Sequence, residues 1–159
     1  MEHHRALALT ALLRNDVFFS AAMSLFVAQF AKALIALLTN RKAGFRQIMS
    51  TLFWKTGGMP SSHSALAIAI ATAIGFSDGV SSDIFALALF FALVVIRDAM
   101  GVRRAAGVQA KALNILGVRM SKRLHIPFKP VKEINGHTFP QVVVGGLMGF
   151  FIALAVKTL

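Results

Sequence analysis

The sequence predicts an all-α integral membrane protein: a multi-pass transmembrane bundle of about four membrane helices plus one amphipathic interfacial helix. Apolar residues make up 57% of the 159 residues before glycine is counted, and charged residues only 14%. Soluble chains have about 45–50% apolar residues with glycine included and about 25% charged residues. A soluble domain of this size could not bury so much apolar surface. We expect residues 1–159 to form one integral membrane domain.

Four apolar stretches supply the predicted membrane helices. The first, Val17 to Leu38, is long enough to cross the hydrocarbon core, which takes about 20 residues. The second, Ala65 to Phe76, alternates Ala with Leu or Ile like a strand, but a lone strand cannot cross lipid with its backbone unpaired, so we predict a helix. The third, Ile84 to Ile96, becomes a full span if the helix continues to about Val102. The fourth runs from His137 to Val156.

The segment Arg104–His125 predicts an amphipathic helix. At 100° per residue, one side carries the basic residues Arg104, Lys111, Arg119 and Lys122. The other side carries the apolar residues Leu113, Leu116, Met120 and Leu124. Such a helix suits the membrane surface or a position beneath the bundle. The alternative is a solvated helix that docks on a partner.

The basic residues indicate the orientation in the membrane. Of the 17 Lys and Arg residues, 13 fall in segments 40–61 and 97–136, which four membrane helices would place on one side, and the connector 77–83 has none. By the positive-inside rule this side is cytoplasmic, and we expect a multi-pass protein of the cell membrane. Nucleic acid is not expected as a partner, because the basic residues lie between apolar segments.

The first polar motif, at residues 55–63, reads KTGGMPSSH. Pro60 and Ser61 are typical of a helix start, with Ser61 or Ser62 as the N-cap. Free N–H groups and the positive end of the helix dipole would then face an anion, such as a phosphate. His63 lies one turn inside, where it can donate or accept a proton. The alternative is a helix cap beside a histidine without a function.

The second motif, at residues 97–109, reads RDAMGVRRAAGVQ. Arg103 and Arg104 offer bidentate donors for phosphate. Asp98 is costly near a bilayer boundary unless it is paired, and either of these arginines is the expected partner. The alternative is a juxtamembrane basic cluster that holds anionic headgroups without chemistry. The small residues around the arginines favour a packed site.

The third motif, at residues 133–141, reads EINGHTFPQ and opens the last membrane helix, with Thr138 as its cap. A second histidine, His137, therefore begins a membrane helix on the same side as His63. Two histidines with a cationic cradle suit phosphoryl transfer, in which one attacks phosphorus and the other protonates the leaving oxygen. Lys32 lies about 10 Å inside the first span, which makes it a functional candidate unless it snorkels to the interface.

Taken together, the segments GGMPSSHSA, RDAMGVRRAAGVQA and GHTFPQVVVGG resemble the divergent branch of the phosphatidic-acid-phosphatase type 2 superfamily, which is related to acid phosphatases and vanadium-dependent haloperoxidases. The resemblance spans nearly the whole chain and implies an all-helical membrane protein. It also implies a Pro-Ser-Gly-His motif with an acid histidine, matched by residues 60–63 except for Ser62. A His-x-x-x-Asp motif would supply the nucleophile and its orienting carboxylate; His137 matches, but Gln141 replaces the aspartate.

Further departures from the superfamily pattern change the expected site. Val131 stands where an arginine is expected, and no Lys-x6-Arg-Pro motif precedes Pro60. Gln141 can orient the ring of His137 but supplies no charge; the alternative is that Asp98 or Glu133 serves as the orienting carboxylate, with Arg103 and Arg104 as the cradle. The predicted catalytic residues are His63, His137 and Asp98. The predicted substrate-binding residues are Lys32, Ser61, Ser62, Arg103, Arg104, Glu133 and Gln141.

Two functions follow from these motifs. The first is a phosphatase or phosphotransferase that acts on a lipid phosphate at the cytoplasmic interface. The second is a non-catalytic membrane protein that binds or transports anionic lipid, which the missing aspartate favours. We expect no cofactor and no dedicated metal site, and the absence of cysteine excludes thiolate ligands and disulfides. We expect a homodimer, because Gly145 and Gly149 form a small-xxx-small pair; the alternative is that such faces pack within one chain.

Overall fold

The computed structural model describes residues 10–39, 58–133 and 136–159. These residues form five long helices, α1 Asp16–Thr39, α2 Ser62–Ser77, α3 Asp83–Met100, α4 Val102–Leu124 and α5 Phe139–Thr158. The described ranges contain no strand. The all-α prediction is confirmed, including a helix where alanine alternates with leucine or isoleucine.

Within the described residues, three helical runs are long and apolar enough to cross a membrane: α1, α5 and the run that begins with α3. The fourth apolar helix, α2, is shorter, with 16 residues. A helix of this length measures about 24 Å. The chain is thus a helical membrane protein, and the third apolar stretch continues as helix to Met100, close to the predicted end.

Contacts at the two ends of the bundle show how the helices run. At one end, Lys157 near the end of α5 forms an ion pair of 3.3 Å with Asp16 at the start of α1. At the other end, the Ser61 N–H before α2 donates to the Gln141 carbonyl of α5 at 3.0 Å. We call this second end the basic end; it holds the ends of α1 and α3 and the starts of α2 and α5. The predicted basic loop with Arg41 and Lys55 lies outside the described residues.

Small residues let the helices of the bundle pack closely. The alanines at positions 65, 67, 69, 71 and 73 of α2 are all buried. On α5, a Cβ added at Gly145 would overlap the Ser61 carbonyl, and one at Gly149 would overlap the Ala65 carbonyl. The small-xxx-small pair on which the homodimer prediction rested is therefore used inside one chain. The homodimer itself stays a prediction without this support.

α3 and α4 meet at a kink. Gly101 lies between them with φ −97° and ψ −80°, outside the helical region, and glycine is a common site of helix kinks. After α4 the chain turns back along it, and we call residues 126–133 the return segment. Phe128 of this segment packs on Gly117, and the Val131 N–H donates to Asn114 at 2.8 Å. The return segment thus runs from the tip of α4 back along this helix.

The predicted amphipathic helix exists, but its apolar side is uncovered. The return segment lies against the side of α4 that carries Asn114 and Gly117. The predicted apolar side is exposed, at 50% for Leu113, 58% for Leu116, 44% for Met120 and 52% for Leu124. No described residue covers this apolar side. A position at the membrane surface, packing beneath the bundle and a docked partner all stay as predictions.

Candidate functional site

Two histidines lie side by side at the basic end. His63 is in the first turn of α2, and His137 precedes α5 by two residues. Their ring centroids are 6.5 Å apart, and the ring planes are tilted by 58°. His137 is buried, with 3% exposed. The Nδ1 atom of His63 is buried without a hydrogen-bond partner in the described part of the chain; such atoms are rare in folded proteins, so this one is available to a ligand or water.

Contacts from three segments fix His137. Its N–H donates to the Ala99 carbonyl of α3 at 3.0 Å. Gly136 before it packs on the backbone of Arg104, where a Cβ would not fit. The ring Nδ1 lies 3.3 Å from Oε1 of Gln141, which also accepts the Thr138 N–H at 3.1 Å. Because an amide oxygen only accepts, Nδ1 is the donor in the tautomer that makes this contact, and the lone pair of that tautomer is on Nε2.

The surroundings of His137 favour its neutral form. Burial lowers the pKa of His137. The hydrogen bonds with the side chain of Gln141 and the backbone of Gly58 act against this, whereas the positive charges of Lys32 and Arg103 lower the pKa further. A neutral imidazole keeps the lone pair that a nucleophile needs. The net effect is a lowered pKa of His137, which favours the uncharged imidazole.

The start of α2 has the cap that the first motif predicts. Ser61 is the N-cap, and its Oγ accepts from the Ser64 N–H at 3.4 Å and from the Ser64 hydroxyl at 2.9 Å. The Ser61 N–H is occupied by Gln141, so it cannot bind a ligand. The N–H groups of Ser62 and His63 have no hydrogen-bond partner among the described residues. These two donors remain for an anion at the helix start.

Lys32 lies inside the bundle and does not snorkel. It is 5% exposed, and its Nζ donates to Oγ of Ser62 at 2.9 Å. This contact joins α1 to the start of α2, next to His63. One turn away on α1, Oε1 of Gln29 is buried without a partner in the described ranges. Among the described residues Ser62 is its hydrogen-bond partner and no acidic side chain pairs with it, an arrangement that suits an anion.

The acidic candidates do not contact His137 in the described part of the chain. Oδ2 of Asp98 accepts from Nε of Arg103 at 2.7 Å, and both side chains are about two-fifths exposed. Glu133 is exposed and accepts from Nδ2 of Asn114 at 2.9 Å. The prediction that Asp98 or Glu133 orients His137 is replaced by Gln141, which stands where the superfamily has its aspartate. The prediction that Arg103 or Arg104 pairs with Asp98 is met by Arg103.

The side chain of Arg104 lies apart from the other predicted site residues. Its backbone supports Gly136, but its side chain is exposed and lines a groove of about 400 Å³ with Met100, Gly101 and Gln109. Neighbouring residues on a helix point about 100° apart. Only one of the two consecutive arginines can therefore face Asp98 and the histidines, and this is Arg103.

Three contributors to the site were missed from the sequence. The Ser64 hydroxyl bonds to the cap residue Ser61, the Ala99 carbonyl holds the backbone of His137, and Gly136 permits close packing. Of these three, only Gly136 was detectable in the sequence, because it is a glycine directly before a candidate histidine. No group of three or more His, Asp or Glu side chains that could hold a metal ion occurs within residues 10–39, 58–133 and 136–159.

Comparison with known proteins gives the family. The sequence matches the Divergent PAP2 family over residues 13–152, a range that includes both histidines and all three motifs. The chain belongs to this family. It is 34% identical over 154 residues to the uncharacterized membrane protein YuiD of Bacillus subtilis (strain 168), covering 90% of this chain and 94% of that protein. No solved structure matches this divergent PAP2 chain.

Proposed function

We propose that the protein is a membrane-embedded phosphatase or phosphotransferase that acts on a lipid phosphate at its basic end. The observation that carries the proposal is the pair His63 and His137, 6.5 Å apart between ring centroids. Reacting atoms approach to about 3–3.5 Å, the nucleophile to phosphorus and the acid to the leaving oxygen, so both histidines must line one pocket. Membership of a PAP2 family supports a phosphate ester carried by a lipid as the substrate class.

In the proposed reaction, His137 is the nucleophile and His63 the acid. The Nε2 lone pair of His137 forms a bond to phosphorus, and the bond from phosphorus to the ester oxygen breaks. Protonated His63 gives its proton to that oxygen, so the lipid leaves as an alcohol. Water, or another hydroxyl in a phosphotransferase, then attacks the phosphohistidine, and His63 takes back the proton.

Positive charge at the site stabilises the phosphoryl group in this scheme. Lys32 is buried beside Ser62, and the free N–H groups of Ser62 and His63 lie at the positive end of the α2 dipole. The guanidinium of Arg103 is tied to Asp98 and adds charge at the edge of the site. These donors suit a doubly charged phosphate monoester.

A second candidate function is the non-catalytic binding or transport of anionic lipid. It is favoured by Gln141, a neutral amide where a carboxylate would stabilise the imidazolium form of the nucleophile. Phosphate release from a panel of lipid phosphates, measured with the purified protein, separates the two functions. Lipid binding without phosphate release would select the non-catalytic one.

Substitution of Gln141 tests how His137 is oriented. Gln141→Leu removes the acceptor at Nδ1, and we expect turnover to fall by about 10–100-fold, as for other groups that orient a functional histidine. Gln141→Asp restores a carboxylate, and we expect turnover above that of the native protein. Because Gln141 also caps α5, thermal unfolding of both variants is measured in parallel. Equal turnover in all three proteins would show that this contact has no catalytic role.

The proposed cytoplasmic orientation of the site can be tested with single cysteines, since the native chain has none. Ser81, between α2 and α3, and Lys122, near the end of α4, are both exposed. In intact cells we expect a membrane-impermeant thiol reagent to label Ser81→Cys and not Lys122→Cys. Loops rich in Lys and Arg stay on the cytoplasmic side of the membrane, and α4 is such a segment. Labelling of both after permeabilisation is the control. The reverse pattern would place the histidines on the outer side.

A further inference from the structure

We propose that the kink between α3 and α4 is a second lipid site, separate from the two histidines, that binds an anionic phospholipid of the surrounding membrane. Its headgroup phosphate is held between Arg97 and Arg104, and its acyl chain lies along α3. This proposal does not depend on the protein being a phosphatase.

A groove at the kink has the shape for such a ligand. It measures about 890 Å³ and is lined by Leu93, Ile96, Arg97, Met100, Gly101, Val102 and Ala105. The smaller groove that Arg104 lines shares Met100, Gly101 and Ala105 with it. The two grooves are therefore neighbours around the kink, with one arginine on each. Their walls are otherwise mostly apolar, as the upper part of an acyl chain requires.

Among the described residues, no acidic side chain balances the positive charge at the kink. In the described ranges, neither Arg97 nor Arg104 forms an ion pair, because Asp98 is taken by Arg103. The whole chain has only six acidic residues, and the segments outside the description contain one of them, Glu2. Guanidinium groups bind phosphate oxygens in pairs of hydrogen bonds. An anionic headgroup is the partner that supplies the missing negative charge.

The position of the groove across the membrane fits a lipid. Leu93 and Ile96 belong to the apolar run of α3, and both are part of a helix that is long enough to cross a membrane. Arg97 follows this run directly, and Arg104 lies two turns further along the chain. The arginines thus lie at the boundary where headgroups lie, with apolar surface on the membrane side.

The groove faces away from the histidines. Ala99 is 2% exposed, and its carbonyl holds His137, so this side of α3 faces the candidate catalytic site. At 100° per residue, Arg97 lies about 160° around the helix from Ala99. Arg97 is exposed. A phosphate held by Arg97 is therefore on the side of α3 opposite the carbonyl that holds His137.

The test is the binding of single lipids to the purified protein in detergent, counted by native mass spectrometry with phosphatidylglycerol and phosphatidylcholine. We expect the native protein to prefer phosphatidylglycerol. The double variant Arg97→Gln/Arg104→Gln should lose affinity for it by about tenfold or more. The matched control, Arg119→Gln/Lys122→Gln, removes the same charge from α4 outside the groove and should retain the preference.

Two further variants identify the place of binding. Ala105→Trp fills the groove without changing charge, and we expect it to weaken binding as the double variant does. His137→Ala should leave the preference unchanged, because the proposed lipid does not contact His137. Equal losses in the double variant and its control would show a general charge effect and overturn the proposal. Loss of binding in His137→Ala would place the lipid between the histidines and also overturn it.

Discussion

Replacing either histidine, by His63→Ala or His137→Ala, is expected to lower the rate of phosphate release from a lipid phosphate by a factor of about 100 or more. General acid–base groups contribute about 10²–10⁴-fold, and removal of the nucleophile stops the covalent route altogether. The measurement is steady-state phosphate release by purified protein in detergent or nanodiscs. Lipid binding should persist in both variants, because Lys32 and the start of α2 remain.

The two variants are expected to differ when the leaving group changes. An aryl phosphate leaves without needing a proton, so His63→Ala should recover much of its rate on such a substrate. His137→Ala should stay inactive on both substrates, because no phosphohistidine forms. Phosphohistidine is stable in alkali but not in acid, so trapping of phosphorylated protein by an alkaline, denaturing quench should succeed with His63→Ala and fail with His137→Ala. The reverse result would exchange the roles of the two histidines.

His125 provides a matched control at the end of α4. It has a positive φ of 57°, a conformation that asparagine also adopts, and it is exposed. His125→Asn should therefore keep full turnover and full stability. If phosphate release is the same in both active-site variants as in the native protein, the catalytic proposal fails and the lipid-binding function takes its place.

The helices could be predicted from the sequence, and so could the placement of the three polar motifs at one end of the bundle, because both depend on patterns along the chain. Apolar stretches of membrane length predicted the helices. With the spans alternating in direction, the first turn of α2, the end of α3 and the start of α5 had to share one end. The contact between Lys32 and Ser62 and the pair His63 and His137 agree with that argument.

The assignment of individual side chains could not be predicted, because it depends on rotation about each helix. Arg103 and Arg104 are equivalent in the sequence, yet only Arg103 reaches Asp98. Glu133 lies four residues before His137, a helical spacing, but the return segment carries it to Asn114 instead. Composition and spacing determine neither the rotation of a helix about its own axis nor the path of a loop. The partners of these side chains are therefore visible only in the three-dimensional structure.

The glycines of α5 show that the sequence also does not determine which helices pack together. A small-xxx-small pair permits close approach of two backbones without identifying the second one. Here the second backbone is α2 of the same chain, because Gly145 packs on Ser61 and Gly149 on Ala65. This contact joins the helix that carries His63 to the helix that follows His137. The packing of α5 on α2 therefore sets the distance between the two histidines.

Gly149→Ala is accordingly expected to destabilise the protein by roughly 1–3 kcal/mol, as overpacking typically does. Its Cβ would overlap the Ala65 carbonyl, so α2 and α5 must move apart.

Gly146→Ala is the matched control on the same helix: its Cβ meets only the Ile68 side chain at 3.6 Å, an ordinary contact. There alanine's higher helix propensity should leave stability unchanged or raise it by up to about 1 kcal/mol. Thermal unfolding in detergent measures both, and phosphate release should fall only in Gly149→Ala, because separation of the helices also separates the histidines. Equal unfolding temperatures for the two variants would show that the contact between Gly149 and Ala65 does not hold the helices together.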